Sequence, residues 1–184
     1  MDQELQRILA SDYLAGLDGR PVDALRAARA ECRGVETKLS FLRRLLQGHH
    51  DVVAGERRRR DEGGAPGDVS ALVEQLPAIL TDRVRGPGAG RLTPTVEPGE
   101  LAGELADRVR DLVGRVSLDE LTSVSAPELA TLADDLAALE SEVSATRRSL
   151  LDRIDAIEAE LTRRYRDGEA SVDELLVDPD RTTD

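Results

Sequence analysis

The sequence predicts an all-α protein built on two long helices, and three observations lead to this class. The 184 residues include no Trp, one Phe and two Tyr, while 34% of the residues are charged. Aromatic side chains supply much of the buried area in a globular core, so this chain must rely on Leu, Val, Ile and Ala. These residues recur at steps of 3 and 4 over two long stretches, which is typical of helices that pack along a seam.

The amino-terminal part contains one short and one long helical pattern. Residues 1–17 form an amphipathic helical segment, which Asp18 and Gly19 interrupt. Pro21 suits the first turn of a new helix, which is predicted over residues 21–60. The apolar seam of this long helix consists of Leu25, Ala28, Cys32, Val35, Leu39, Leu42, Leu46, His49 and Val53.

A linker separates this helix from a second one of similar length. Residues 61–124 are rich in Gly and Pro, with short amphipathic pieces over 69–84 and 101–116. Ser125 and Glu128 form a capping box at the start of a helix over residues 125–166, and a tail follows over 167–184. The seam of the second long helix consists of Leu129, Leu132, Leu136, Leu139, Val143, Thr146, Leu150, Ile154, Ile157 and Leu161.

Charge and composition exclude several classes of function. The net charge is −12 and the pI about 4.7, so direct binding to DNA is not expected. Cys32 is the single cysteine, which permits no internal disulfide and fits a reducing compartment. The first residues include early acids and no apolar run, and no stretch reaches 18 apolar residues. We therefore expect a cytoplasmic protein without a membrane segment.

A polar stripe with the spacing E-x3-S-x2-R-x3-Q-x3-D occurs in both long helices. Steps of 3 and 4 place its five positions within an arc of about 80° and along about 22 Å of helix. Leu151 stands where the second copy should have its glutamine. The first copy is Glu36, Ser40, Arg43, Gln47 and Asp51, and the second, 104 residues later, is Glu140, Ser144, Arg147 and Asp155.

The residue types in the stripe suit a planar, anionic ligand. Arginine offers a planar fork for phosphate, carboxylate or the O6/N7 edge of guanine. Carboxylates accept hydrogen bonds from N–H groups, while Ser and Gln can do either. The seams of the two helices match at the same offset, for example Leu25 with Leu129 and Leu46 with Leu150. Two level stripes would form a site with approximate two-fold symmetry.

An ordinary structural interpretation competes with a binding role. Glu and Arg at spacings of 3 or 4 stabilise helices by roughly a few tenths of a kcal/mol, and polar stripes beside a seam are common. We interpret residues 57–60 as a solvated basic helix end rather than a site, and His49 and His50 lack a third metal ligand. No nucleophile–base pair or glycine-rich phosphate loop is visible, so catalysis is not expected. Both interpretations of the stripe remain open on the residues alone.

The repeated stripe and its flanking segments SDYLAGL and LRAARAECRGVE resemble the signature of the RsiG family. Members of that family are anti-sigma factors of actinomycetes that respond to cyclic di-GMP. The resemblance covers the two long helices and the amino-terminal segment but not the linker. It implies an antiparallel coiled-coil hairpin with short N-terminal and linker helices, in which each long helix contributes one stripe.

The resemblance also implies a ligand and a partner. The two stripes would hold two molecules of cyclic di-GMP without metal, and the loaded protein would sequester a WhiG-type sporulation sigma factor. The protein would be a monomer apart from that complex, with no contact to DNA or membrane. Leu151 removes one expected glutamine contact, and Arg44 and Arg148 are candidates at the edge of the site. The ligand-binding residues carried over are Glu36, Ser40, Arg43, Gln47, Asp51, Glu140, Ser144, Arg147 and Asp155.

The apolar face of residues 1–17 has two possible roles. It is either a helix that binds in a groove of the sigma factor or a cover for the core of the hairpin. A ligand-independent coiled-coil adaptor is the alternative to the anti-sigma function, and it predicts that stripe substitutions leave partner binding unchanged. The candidate partner-binding residues are Leu5, Ile8, Leu9, Tyr13, Leu14 and Leu17.

Overall fold

The computed structural model describes residues 2–65, 73, 103–115 and 121–168, and its regular elements in these ranges are helices. The prediction of an all-α protein with two long helices is confirmed. The predicted piece over 69–84 lies outside the described residues apart from Val73, as does most of the tail. The elements are α1 (Asp2–Leu9), a 3-10 helix (Leu17–Gly19), α2 (Val22–Asp61), α3 (Glu104–Gly114) and α4 (Ala126–Arg166).

The chain divides into two compact units, and both long helices contribute to each of them. Unit 1 contains Met1–Asp2 and Thr37–Arg147, and unit 2 contains Gln3–Glu36 and Arg148–Asp184. Unit 1 therefore holds the carboxyl-terminal part of α2 and the amino-terminal part of α4. Unit 2 holds the remaining parts of those two helices.

In unit 1, α2 and α4 run antiparallel. Arg43 contacts Glu140, whereas Arg60, further along α2, contacts the carbonyl oxygen of Val124, just before α4 begins. The helix α3 belongs to the same unit, where Arg108 donates two hydrogen bonds of 2.7 Å to the Glu142 carboxylate. The buried apolar side chains of this unit are Leu39, Leu42, Leu46, Val53, Leu105, Ala106, Val109, Leu121, Leu129, Leu132, Ala133, Leu136, Leu139 and Val143.

In unit 2, the two long helices are antiparallel as well. Arg26 donates hydrogen bonds to the Tyr165 hydroxyl, and Arg33, seven residues later on α2, pairs with Glu158, seven residues earlier on α4. The segment of α1 and the following turns packs on this part of the molecule. The buried apolar side chains of the unit are Leu5, Ile8, Tyr13, Leu25, Cys32, Val35, Leu150, Ile154, Ile157 and Leu161.

The start of α4 confirms the predicted capping box. The Ser125 backbone N–H and hydroxyl both donate to the Glu128 carboxylate, at 3.0 and 2.6 Å, and the Glu128 backbone N–H donates to the Ser125 hydroxyl at 3.4 Å. These bonds satisfy N–H groups that have no partner inside a helix. They also lower the pKa of the Glu128 carboxyl, since the donors favour its ionised form.

Three predicted seam positions are only half-buried: Ala28, His49 and Thr146. The polar atoms of His49 and Thr146 turn back to their own helices. The His49 Nδ1 atom lies 2.8 Å from the Leu45 carbonyl oxygen, and the Thr146 hydroxyl donates to the Glu142 carbonyl oxygen at 2.9 Å. A side chain that satisfies its polar group on its own backbone stays at the edge of the seam.

The α-helix in residues 1–17 is shorter than the apolar pattern predicts, because it ends at Leu9. The Arg153 guanidinium donates to the carbonyl oxygens of Ile8 and Leu9, at 2.6 and 2.7 Å. A tertiary contact thus occupies the oxygens that would accept the next helical hydrogen bonds. Turns follow to Gly16, whose φ of 64° lies in the left-handed region that favours glycine.

Among the described residues, no helix combines the length and apolar composition required to cross a bilayer.

Candidate ligand-binding site

The Glu140 carboxylate is the centre of a hydrogen-bond network in unit 1, which we call the Glu140 network. Its Oε1 atom accepts hydrogen bonds from Arg43 Nε at 3.0 Å, from Gln47 Nε2 at 2.9 Å and from Ser144 Oγ at 3.0 Å. Arg43 and Gln47 come from α2, whereas Ser144 lies one turn further along α4. Residues from both copies of the stripe therefore meet at one oxygen atom.

These contacts keep Glu140 ionised. Burial raises the pKa of the Glu140 carboxyl, but the hydrogen bonds from Ser144, Arg43 and Gln47 outweigh burial and lower it below the usual value. The side chain is 25% exposed and that of Arg43 is 38% exposed. The group is thus an anion close to solvent, with its donors already oriented toward an acceptor.

A second contact between the stripes joins Arg147 and Ser40. The Arg147 Nε atom donates to the Ser40 hydroxyl oxygen at 2.7 Å. Arg44, a candidate edge residue, is exposed, and its Nε atom donates to the Ser40 carbonyl oxygen at 3.2 Å. The arginines of the two stripes therefore both contact a residue of the opposite helix.

The remaining stripe positions divide between the units. Asp51 belongs to unit 1 and is half-buried, while Glu36 and Asp155 belong to unit 2, where they are half-buried and exposed, respectively. Leu151 and the candidate edge residue Arg148 also belong to unit 2. Unit 1 thus brings together six of the nine candidates, which are Ser40, Arg43, Gln47, Glu140, Ser144 and Arg147.

An open groove with a cavity volume of about 170 Å³ lies beside the Glu140 network in unit 1. Two of its lining residues, Gln47 and Glu140, belong to the stripe, and the other two are His50 and Ala137. The His50 side chain is 36% exposed, and its Nδ1 atom lies 3.9 Å from the Asp51 carboxylate. The groove is thus lined by two residues of the stripe and by two residues outside it.

The structure also contains a buried charged cluster in unit 1 that the sequence interpretation missed. Glu56 is fully buried and accepts hydrogen bonds from Arg59, at 2.8 and 2.9 Å, and from Arg60, at 2.6 Å. Arg60 also donates to the carbonyl oxygens of Leu121, Thr122 and Val124, at 2.6 to 3.0 Å. We call this arrangement, a Glu, two Arg and three loop carbonyls, the arginine clamp of unit 1.

Unit 2 contains the same clamp 104 residues away. Glu160 accepts hydrogen bonds from Arg163 and Arg164, at 2.7 to 3.0 Å. Arg164 donates to the carbonyl oxygens of the loop before α2, at 2.5 to 2.9 Å. Those carbonyls belong to Leu17, Asp18 and Arg20, and each is 104 residues before its counterpart in the other clamp.

The interpretation of residues 57–60 as a solvated basic run is therefore wrong for two of the four. Arg57 and Arg58 are exposed, but Arg59 is 5% exposed and Arg60 has its guanidinium on Glu56 and on the loop. The signal that would have found them is the pattern E-x2-R-R, which begins at Glu56 and again 104 residues later. It extends the repeat beyond the stripe.

The amino-terminal candidates for partner binding are already packed in unit 2. Leu5, Ile8 and Tyr13 are buried, and the Tyr13 hydroxyl contacts Glu31 at 3.3 Å and the Cys32 thiol at 3.5 Å. The other three candidates, Leu9, Leu14 and Leu17, are half-buried. The face therefore covers part of the core, and its contact with a partner stays a prediction.

The described ranges contain no group of three or more His, Cys, Asp or Glu side chains placed to hold a metal ion. The groups that meet in unit 1 are guanidinium, amide, hydroxyl and carboxylate, which are chemically able to form directional hydrogen bonds with a polar organic molecule.

Comparison with known proteins identifies the family. The model of the family described as RsiG-like matches residues 11–80 and 115–178, which is more than half of the chain. The two matched segments contain both stripes and both clamps. A search of curated proteins finds no significant match. The chain therefore belongs to the RsiG-like family, and this membership indicates an anti-sigma factor with a sigma factor as its partner.

Proposed function

We propose that this protein is an anti-sigma factor whose two stripes bind a pair of cyclic di-GMP molecules. When loaded, it sequesters a WhiG-type sporulation sigma factor; it is a regulator and not an enzyme. The observation that carries the proposal is the repeated stripe with its arginines, serines and carboxylates at matched positions. The family membership supports the anti-sigma role.

The Glu140 network supports a ligand-binding role because its groups match the edges of guanine. A carboxylate accepts hydrogen bonds from the N1–H and amino groups of guanine, and arginine donates to O6 and N7. Within the protein, Arg43 and Gln47 donate to Glu140. A ligand would replace these internal hydrogen bonds with hydrogen bonds to its own atoms. The side chains that would bind it are therefore already oriented before binding.

Electrostatics require the arginines of the stripe to contact the ligand. Two cyclic di-GMP molecules carry four phosphate charges, and the chain itself has a net charge of −12. The long-range field of the protein therefore opposes binding, and local guanidinium groups must compensate. Arg43 and Arg147 are the first candidates for this task, with Arg44 and Arg148 at the edge.

Ligand binding would favour the sigma complex through linkage. A ligand that binds only the assembled helix pair stabilises that pair, and the gain increases with ligand concentration. If the same assembled surface binds the sigma factor, each ligand raises the affinity for the other. The half-buried residues of the amino-terminal face, Leu9, Leu14 and Leu17, are candidates for part of that surface.

Calorimetry with cyclic di-GMP tests the ligand. The full chain should bind two molecules, and Arg43→Ala combined with Arg147→Ala should weaken binding by about a hundredfold, since the phosphates lose their charged partners. The matched control combines Arg57→Ala with Arg58→Ala, which removes the same charge from exposed positions of α2. Absence of binding by the unmodified chain, or equal loss in the control, would contradict the proposal.

Gel filtration with a WhiG-type sigma factor tests the switch. The complex should form with cyclic di-GMP and dissociate without it, and the Arg43→Ala, Arg147→Ala double variant should not form it at the same ligand concentration. An equally stable complex with and without ligand would show that the stripe does not control the partner.

A second candidate function, a ligand-independent coiled-coil adaptor, also has an observation in its favour. The stripe residues bond to each other between α2 and α4, as Arg43–Glu140 and Arg147–Ser40 show, and such bonds can act simply to align the helices. This function predicts that the double arginine variant is less stable but binds its partner as before.

A further inference from the structure

Two of the four residues that line the groove beside Glu140 do not belong to the motif. Gln47 and Glu140 belong to the stripe, whereas His50 and Ala137 do not, and the cavity volume of the groove is about 170 Å³. Sites that hold a whole small molecule usually measure roughly 300–1,000 Å³. The groove is therefore too small for a whole dinucleotide but has room for one flat ring system next to a carboxylate and an amide.

The equivalent positions of the other repeat carry very different side chains. Ala137 corresponds to Arg33, which pairs with Glu158 in unit 2, and His50 corresponds to Ile154, which is 6% exposed. The small alanine leaves space beside Glu140, and the half-exposed imidazole borders that space. A long cation and a buried aliphatic side chain stand at the matching positions of unit 2.

We propose that this groove seats one purine base of the ligand, with His50 as a binding residue outside the motif and Ala137 as the residue that leaves room. The proposal rests on the proposed function, because the ligand is the one assigned there. Imidazole offers a flat aromatic face on which a base stacks, and ring nitrogens that donate or accept hydrogen bonds. The 3.9 Å between His50 and Asp51 is too long for a hydrogen bond, so that contact does not hold the ring.

The test compares substitutions inside and outside the groove by calorimetry of the full chain with cyclic di-GMP. His50→Ile copies the other repeat, and Ala137→Leu fills the groove without adding charge. Each should weaken binding by about tenfold, the loss expected when a base loses its stacking partner or its space. His49→Ile is the matched control on α2, since His49 lines a different groove, and Ala159→Leu is the control at an exposed position of α4. Both controls should bind like the unmodified chain.

The outcomes separate this inference from the proposed function. If the unmodified chain binds and the Arg43→Ala, Arg147→Ala variant does not, but His50→Ile and Ala137→Leu bind normally, the groove assignment is wrong and the stripe assignment survives. If His49→Ile weakens binding as much as His50→Ile, the groove assignment is also wrong. If the unmodified chain does not bind cyclic di-GMP, both proposals fail together. Thermal unfolding followed by circular dichroism checks that each variant retains the helical fold.

Discussion

The clamp of unit 1 and the clamp of unit 2 use the same residue types at the same spacing, yet they differ in exposure to solvent. Glu56 is fully buried and Arg59 is 5% exposed, whereas the side chain of Glu160 is 13% exposed and that of Arg163 is 42% exposed. Arg59 also donates to the Ala65 carbonyl oxygen, while Arg163 pairs with Asp167, another side chain. At the glutamate and the first arginine, one local pattern is thus closed to solvent in unit 1 and partly open to it in unit 2, whereas Arg60 and Arg164 are similarly buried.

The repeated residue pattern determines which side chains form hydrogen bonds, and the exposure of those side chains determines how much each bond contributes to stability. Removing one partner of a buried ion pair leaves an uncompensated charge in a medium of low dielectric constant. Near solvent, water replaces much of the lost interaction. The two clamps therefore allow the same substitution to be compared in two environments within one chain.

Replacing the carboxylate should show the largest contrast. Glu56→Ala should lower the free energy of unfolding by about 3 kcal/mol, because Arg59 and Arg60 lose their buried counter-charge. Glu160→Ala should cost clearly less, since Arg163 retains water and Asp167. Urea denaturation followed by circular dichroism measures both. An equal or greater loss for Glu160→Ala would contradict the contrast.

Replacing the clamp arginine by lysine should have similar effects in both units. Arg60→Lys and Arg164→Lys should each lower the free energy of unfolding by about 2 kcal/mol, since an ammonium group cannot reproduce the fork that reaches three carbonyl oxygens. Arg58→Lys, at an exposed position of α2, is the control and should change stability by less than about 0.5 kcal/mol. A loss confined to one of the two clamps would show that they are not equivalent in holding their loops.

The two copies of the stripe differ as well, and restoring the missing glutamine tests the importance of that difference. Gln47 donates to Glu140 in unit 1, whereas Leu151 stands at the matching position in unit 2. Leu151→Gln should tighten binding of cyclic di-GMP by about fivefold, the gain expected from one added hydrogen bond. Ala145→Gln, exposed on the same helix, should leave the affinity unchanged. Unchanged binding by Leu151→Gln would mean that this half of the site does not use a glutamine.

The smallest expected effect is a change in pH dependence. Hydrogen bonds from Arg163 and Arg164 lower the pKa of the Glu160 carboxyl from 4.5 to about 2. A lowered pKa in the folded state adds stability above the unfolded pKa, and this stability is lost as the pH falls from 4.5 toward 2. Glu160→Gln should therefore lose less stability between pH 6 and pH 3 than the unmodified chain, measured by urea denaturation at both values. Identical losses would contradict the role of this carboxyl.

The long helices and the stripe could be predicted because both depend on the spacing of residue types along the chain. Apolar steps of 3 and 4 and the capping box at Ser125 indicated two long helices, and the structure has them as Val22–Asp61 and Ala126–Arg166. The stripe residues were named from spacing and resemblance, and six of them meet in unit 1. Their role as a cyclic di-GMP site stays a prediction.

The repeated E-x2-R-R pattern marks the clamp residues, but local spacing could not predict their contacts with distant loops or the end of α1. Arg60 and Arg164 each bond to a loop that is distant in the sequence, and Arg153 takes the carbonyl oxygens of Ile8 and Leu9. A basic run at a helix end is exposed in most proteins. Burial of the clamp arginines is favourable because a glutamate and the carbonyl oxygens of a distant loop accept their hydrogen bonds.

The amino-acid sequence was sufficient to predict the helical class, the extent of the two long helices and the repeat at an offset of 104 residues. Each of these depends on the periodic placement of residue types along the chain. The tertiary structure alone decided which charges are buried, that Glu140 collects Arg43, Gln47 and Ser144, and that Ala137 leaves a groove beside His50. The physical reason is that the free energy of a buried charge depends on donors, acceptors and solvent supplied by distant segments. Those groups become neighbours only when the helices pack.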